Sequence, residues 1–412
     1  MQNPKINLII NIIATVLTQT STILINVMLT PLLILRLGQE TFGIYASVIS
    51  FSWFCFVICD LGLSLSLIKK TSADRLDRNK LGEYLTQSLI IKSPLLLLSL
   101  FAYSFFFSEY SFFQLVFPFW LFTIGMAIQP TWFFQGIEDL KLSTAINVIG
   151  KALVLIIVYY GVNSSDDLSI VAYTTALSNI LVTILCFSLI KSKGYSITKS
   201  NLKNILNTTE TTLSYFYPLA LVAVYMQATV FIIGKTMGPK EAAIYAVADQ
   251  FFRLGRMIVS SITQAFYPYM VFRKDLRFLL LSTSTFFILA VFSATILWNA
   301  VPLVVMWYVG DGFQNSIELI RIFMITCVVL VPSAFIGFPL LDGFGQHKLA
   351  NRTLLYGSTV FLIGVLYYFI FDEITAIKLA YLAMITELVI LVLRACAAVW
   401  LIKKVGNYGF KK

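Results

Sequence analysis

The chain is built of apolar runs long enough to cross a bilayer, beginning with INLIINIIATVLTQTSTILINVMLTPLL at residues 6–33. Inside hydrocarbon the backbone must satisfy its own hydrogen bonds, so each such run is expected to be a helix. Spanning helices are predicted at about 6–33, 41–68, 81–107, 111–134, 144–162, 169–190, 212–234, 241–270, 276–298, 315–341, 350–371 and 376–402. That makes an all-α integral membrane protein with twelve transmembrane helices. Composition agrees: 58% of the 412 residues are hydrophobic, 12% are charged, and the mean hydropathy is +0.85, beyond the range of soluble domains. The first run is already of spanning length and lacks a small-residue cleavage site, so no cleavable signal peptide is expected.

An even number of spans puts both termini on one side of the membrane. Lys5, the run KKTSADRLDRNK (69–80), Lys141, the lysines of KSKGYSITKSNLK (191–203), FRKDLR (272–277), Lys348, Arg352 and the tail lysines share that side, which holds 20 of the 30 basic residues. The opposite loops hold Arg36, Lys235, Lys240 and Lys378. The positive-inside bias therefore predicts cytoplasmic N- and C-termini and accounts for most of the net charge of +10 without any nucleic acid. The five cysteines (Cys55, Cys59, Cys186, Cys327, Cys396) fall in apolar segments and read as packing residues. The single histidine, His347, has no neighbouring ligand type, and no metal site is expected.

The two halves match each other. LGQETFGIYASV (37–48) aligns with MGPKEAAIYAVA (237–248), pairing Gly38 with Gly238, and a second match pairs Gly136 with Gly343 and Gly150 with Gly357. This predicts two six-helix bundles related by a parallel internal repeat, an arrangement that builds a substrate path. The expected divisions are an N-terminal bundle at 1–190, a polar cytoplasmic linker at 191–211, a C-terminal bundle at 212–402 and a basic cytoplasmic tail at 403–412.

Against this apolar background the polar residues stand out. Asn7, Asn11, Thr15, Thr18, Thr22 and Asn26 recur at steps of three and four, a single face of the first helix that should avoid lipid. ADQFFRLGR (248–256) lines up Asp249, Arg253 and Arg256 in the same way. Lys92, Lys151, Glu387 and Arg394 lie away from helix ends, and Asp60 lies low in the second span. A charge at the bilayer centre costs at least ~2.5 kcal/mol, which favours housing these groups inside the bundle, in a cavity or as ion pairs. Lys92, Lys151, Arg253, Arg256 and Arg394 outweigh Asp60, Asp249 and Glu387, and a cationic cavity suits an anionic substrate.

RLGQETFGIYASVISF, DLGLSLSLIKKTSADRLDRNKLGEY and above all QPTWFFQGIEDLKLSTAINVIGKAL (129–153) resemble the signatures of Wzx-type O-antigen flippases, in the polysaccharide-transport branch of the multidrug/oligosaccharidyl-lipid/polysaccharide (MOP) superfamily. The sharpest motif is Pro130, Trp132, Phe133, Phe134, Gln135, Gly136 and Glu138. The resemblance implies a MATE-like, twelve-helix, two-bundle transporter in the bacterial inner membrane. It would move an undecaprenyl-pyrophosphate-linked oligosaccharide to the outer leaflet by alternating access through a cationic lumen, for lipopolysaccharide or a related polymer. Arg253, Arg256, Lys92, Lys151 and Arg394 are the candidate substrate-binding cations. Asp60, Asp249 and Glu387 are candidates for coupling to H+ or Na+. A polysaccharide polymerase and a chain-length regulator are the expected protein partners. The alternatives are a MATE-like multidrug/cation antiporter, disfavoured by the basic balance, and a membrane glycan polymerase, disfavoured by the short outer loop at about 299–314 and the lack of any recognisable catalytic constellation.

Overall fold

A computed structural model describes the backbone over residues 4–407 and side chains over 24–403, apart from 214, 215 and 268. The chain divides into two compact units, Met1–Ala223 and Val224–Lys412.

The first unit contains α1 (Pro4–Asp60), α2 (Leu63–Ala73), α3 (Arg78–Phe106), α4 (Phe117–Ile128), α5 (Thr131–Gly136), α6 (Lys141–Gly161), α7 (Leu168–Ser192) and most of α8 (Leu202–Gln227). The two predicted first spans are joined in α1 across a kink at Gly38, whose φ of 78° suits glycine. The fourth span is a composite, a π-turn at Phe112–Val116 followed by α4 and the short α5. Within the expected linker a turn at 193–194 and residues 195–201 are the non-helical part. The chain re-enters helix at Leu202, where Thr208 and Asn204 hydrogen-bond Gln87 and Glu83 of α3. Polarity there marks a helix face docked on polar partners, which hydropathy cannot tell from a loop.

The second unit contains α9 (Thr229–Thr236), α10 (Pro239–Arg273), α11 (Leu276–Val309), α12 (Ser316–Phe335), a π-helical segment at Ile336–Asp342, α13 (His347–Phe371) and α14 (Ala376–Asn407). The helical end of α8 and α9 form one span bent by 54°. Gly238, at the start of α10, has φ 95° and ψ 173°, close to the 78° and 168° of its sequence match Gly38. The other matched glycines also do parallel work. At Gly150 a Cβ would meet Val182 of α7 at 2.5 Å, and at Gly357 it would collide with Ile390 of α14, so each allows close helix approach within its own unit.

Among the described residues, nine helices are long and apolar enough to cross a membrane, or ten with the bent pair. The charged α10 is outside that number, and α1 enters it once. Large apolar side chains such as Leu98, Phe105, Phe292, Leu303 and Phe371 are exposed, as expected where the surrounding medium is lipid.

Candidate functional site

Six of the eight candidate charges form three of the described ion pairs, and two of these pairs tie helices together. In the first unit α1 ends at Asp60, and the left-handed Leu61 and Gly62 turn the chain into α2. Asp60 accepts from the Ser64 amide at 3.2 Å and from Ser64 Oγ at 2.6 Å. Lys92, only 1% exposed on α3, reaches the same carboxylate at 2.8 Å and the Ala127 carbonyl at 2.8 Å. That carbonyl lies in the last turn of α4, where backbone oxygens lack helical partners and favour a cation. One ammonium thus joins α1, α3 and α4. Lys151 sits half-buried on α6.

In the second unit two pairs converge on the bend between α8 and α9. Asp249 and Arg253 pair at 2.6 Å. Arg253 also donates to the Met226 carbonyl at 2.7 Å and to Gln227 Oε1 at 3.2 Å, capping the broken end of α8. Its side chain is 43% exposed. Arg256 pairs with Glu387 of α14 at 2.9 Å, and the Tyr225 hydroxyl donates to the same carboxylate oxygen at 3.0 Å. The guanidinium lies against the Tyr225 and Phe252 rings. Tyr225 and Glu387 are buried and Arg256 is half-buried.

Arg394 is a buried cation on the same helix as Glu387. It donates to the Ser333 carbonyl and hydroxyl at 2.8 and 3.0 Å and to Thr353 Oγ1 at 3.3 Å. Its guanidinium occupies the space that a Cβ at Gly337 would need, beside the start of the π-helical segment. The sequence spacing of Glu387 and Arg394 places them on one helical face, yet the carboxylate's salt bridge is to Arg256. Tyr225, Thr353 and Ser333 were not among the sequence candidates, because a tyrosine or serine in an apolar helix carries no charge signal.

The polar face of the first helix falls largely outside the described side chains: Asn7, Asn11, Thr15, Thr18 and Thr22 lie there, and Asn26 is exposed. The Pro130–Glu138 motif is a packing element. Trp132, Phe133 and Phe134 of α5 are buried in one cluster with Leu63 and Leu67 of α2, Leu85 of α3 and Cys186 of α7. A Cβ at Gly136 would lie 2.5 Å from Thr71, and Ser72 donates to the Gly136 carbonyl at 3.2 Å. Gln135 lies one residue before the end of α5, and Glu138, at a left-handed φ of 59°, pairs with Arg75 at 3.4 Å. All five cysteines are free, with Cys396 exposed.

Solved structures share this arrangement of helices. The chain is similar to an inward-facing multidrug resistance MATE family transporter of the MOP superfamily, with a TM-score of 0.70 and 15% identity over 93% of this chain and 96% of that one. It is also similar to the lipid II flippase MurJ in an inward closed conformation, with a TM-score of 0.71 and 14% identity over 94% and 87%. At these identities the likeness shows the fold, that of the MOP superfamily. The polysaccharide biosynthesis protein family profile matches residues 8–273, and the chain belongs to that family. An Escherichia coli (strain K12) relative named as a candidate O-antigen transporter is 22% identical over 343 residues, 78% of this chain and 80% of its own length. A Shigella dysenteriae protein of the same name is 23% identical over 337 residues, 79% and 84%. The resemblance to Wzx-type flippases is thereby borne out, and the protein is a multi-pass membrane transporter.

Proposed function

We infer that the protein flips an undecaprenyl-pyrophosphate-linked oligosaccharide from the cytoplasmic to the outer leaflet of the bacterial inner membrane by alternating access. The observation that carries this is membership of the polysaccharide biosynthesis family, with relatives named for O-antigen transport. The fold shared with a lipid II flippase supports it. Counting α1 as two spans across Gly38, the α8–α9 pair as one and α10 as another brings the total to twelve, with both termini cytoplasmic. The matched glycines support a duplicated pair of six-helix bundles.

A pyrophosphate-sugar head cannot enter hydrocarbon unaided, since its charges and hydroxyls would lose their hydrogen bonds. Arg253 is the foremost substrate contact, because its planar fork is part-exposed and can grip phosphate at two points. Arg256, Lys151, Lys92 and Arg394 are the remaining candidate substrate-binding cations. Coupling to H+ or Na+ would act at Asp249, Asp60 or Glu387, whose neutralisation frees the cation it holds. A polymerase and a chain-length regulator would receive the product.

A second reading comes from the bond between Arg253 and the Met226 carbonyl, which fits a purely structural clamp on the bent span. Alanine replacement separates the two. Arg253→Ala is expected to abolish surface glycan while leaving the protein in the membrane, Arg253→Lys to restore it in part, and Asp249→Ala with Arg253→Ala to remain inactive. Loss of Arg253→Ala from the membrane would favour the clamp, and normal glycan export from the double variant would remove Arg253 from the substrate path.

A further inference from the structure

The second unit holds an apolar groove of about 530 Å3 between α10, α11 and α12. α11 rests along α12 and is clipped to α10 at two places. At one, Phe266 packs on Phe278 and Phe286 with ring centroids 5.7 and 5.8 Å apart. At the other, Phe251 meets the Tyr308 ring at 5.7 Å and the Tyr308 hydroxyl donates to Gln250 Oε1 at 3.3 Å. Between the clips α11 presents the small Ala290, Ser293 and Ala294 to the groove, flanked by Leu289, Leu297, Val301, Val304 and Val305.

We propose that this groove holds the hydrocarbon chain of a long isoprenoid phosphate, the carrier lipid of the transported glycan; the proposal rests on the flippase reading above. Apart from Ser293 and the Cys327 thiol, the lining side chains are hydrocarbon or thioether, so neither a phosphate nor a sugar would find hydrogen bonds there. The lining on α11 runs from Phe286 to Val305, ~28 Å at 1.5 Å per residue. That is close to the full ~30 Å of bilayer hydrocarbon. An acyl chain confined to one leaflet would fill half of it, whereas a chain longer than a leaflet would fill the whole. Charge fits the other end of such a molecule. The turn joining α10 to α11 carries Arg273, Lys274 and Arg277 against the single acid Asp275, whose carboxylate already caps α11 by accepting from the Phe278 amide at 3.0 Å. That turn lies on the far side of the Phe266 clip from the groove, so a chain whose anionic head is held there enters the groove past the clip.

The test uses purified full-length protein in detergent, with binding of undecaprenyl pyrophosphate, farnesyl pyrophosphate and a diacyl phosphatidylglycerol read by native mass spectrometry. A photoactivatable group on the distal end of the undecaprenyl chain is expected to label peptides within residues 251–335. Ala294→Trp, which fills the groove, is expected to weaken undecaprenyl pyrophosphate by about tenfold or more while leaving farnesyl pyrophosphate binding and thermal melting unchanged. Labelling elsewhere, or unchanged long-chain affinity in Ala294→Trp, would overturn the groove assignment while leaving the flippase reading intact. Displacement of the label by an equal amount of phosphatidylglycerol would overturn the isoprenoid as occupant. If the native chain bound no undecaprenyl pyrophosphate, the functional reading and the groove assignment would fall together. Should Ala294→Trp not fold, labelling of the native protein decides alone.

Discussion

Lys92 and Asp60 lie almost wholly out of contact with solvent, 2.8 Å apart, and between them satisfy a helix end and a chain reversal. Such a pair contributes little net stability when intact, but removing one partner strands the other charge and costs about 3–5 kcal/mol. Lys92→Met is therefore expected to lower the melting temperature and membrane yield sharply, and Asp60→Asn in the same chain to recover most of the loss. Fluorescence-detected size exclusion after heating reads both. A double variant as unstable as Lys92→Met alone would mean that the ammonium matters through the Ala127 carbonyl and not through the carboxylate. Arg394 follows a different rule, since its guanidinium is held by neutral oxygens of Ser333 and Thr353. In the second unit arginine thus serves as an ion-pair partner at Arg256, beside Glu387, and as a backbone pin at Arg394, on the Ser333 carbonyl.

At the scale of elements, the structure turns two motifs into joints. The Trp-Phe-Phe-Gln-Gly string makes α5, a turn and a half of helix wedged against α2, and its glycine exists because Thr71 leaves no room for a Cβ. Gly136→Val must push α5 from α2 or force Thr71 aside, and overpacking of this kind costs about 1–3 kcal/mol. A fall in membrane-inserted protein, relieved by Thr71→Ala, is the expected result on immunoblots of membrane fractions; normal levels in the single variant would show that the joint can open freely. The second joint is the 54° bend between α8 and α9. Its freed carbonyl at Met226 is taken by Arg253, and the side chain one residue earlier, Tyr225, by Glu387, so both charged pairs of α10 meet the chain where its own hydrogen bonding is interrupted. Hydropathy placed a single span there and showed no bend, because a break in backbone bonding leaves the average polarity unchanged.

For the molecule as a whole, orientation rests on the loop charges, and it can be read directly. In a background without native cysteines, Ser72→Cys and Ser196→Cys are expected to resist an impermeant thiol reagent on intact cells, while Ser165→Cys and Asn315→Cys react; all four positions are exposed. Labelling at 72 or 196 without permeabilisation would invert the topology and with it the direction of transport. Membrane residence and the helical character of the apolar runs were legible in the sequence because transfer free energy accumulates residue by residue along a run, whatever its neighbours. The matched Gly38 and Gly238 were legible too, since a left-handed backbone position selects glycine locally. Partner choice among the charges was not. Arg256 meets Glu387 across 131 residues, and Asp60 meets Lys92 from a different helix. Spacing along one helix would have joined Glu387 to Arg394 instead. The sequence by itself thus determined the solvent, the helices and the excess of positive charge. The tertiary structure alone decided which charges are paired and which keep an exposed face, because Coulomb energy depends on the distance between helices and on their shared burial, neither of which is written along the chain.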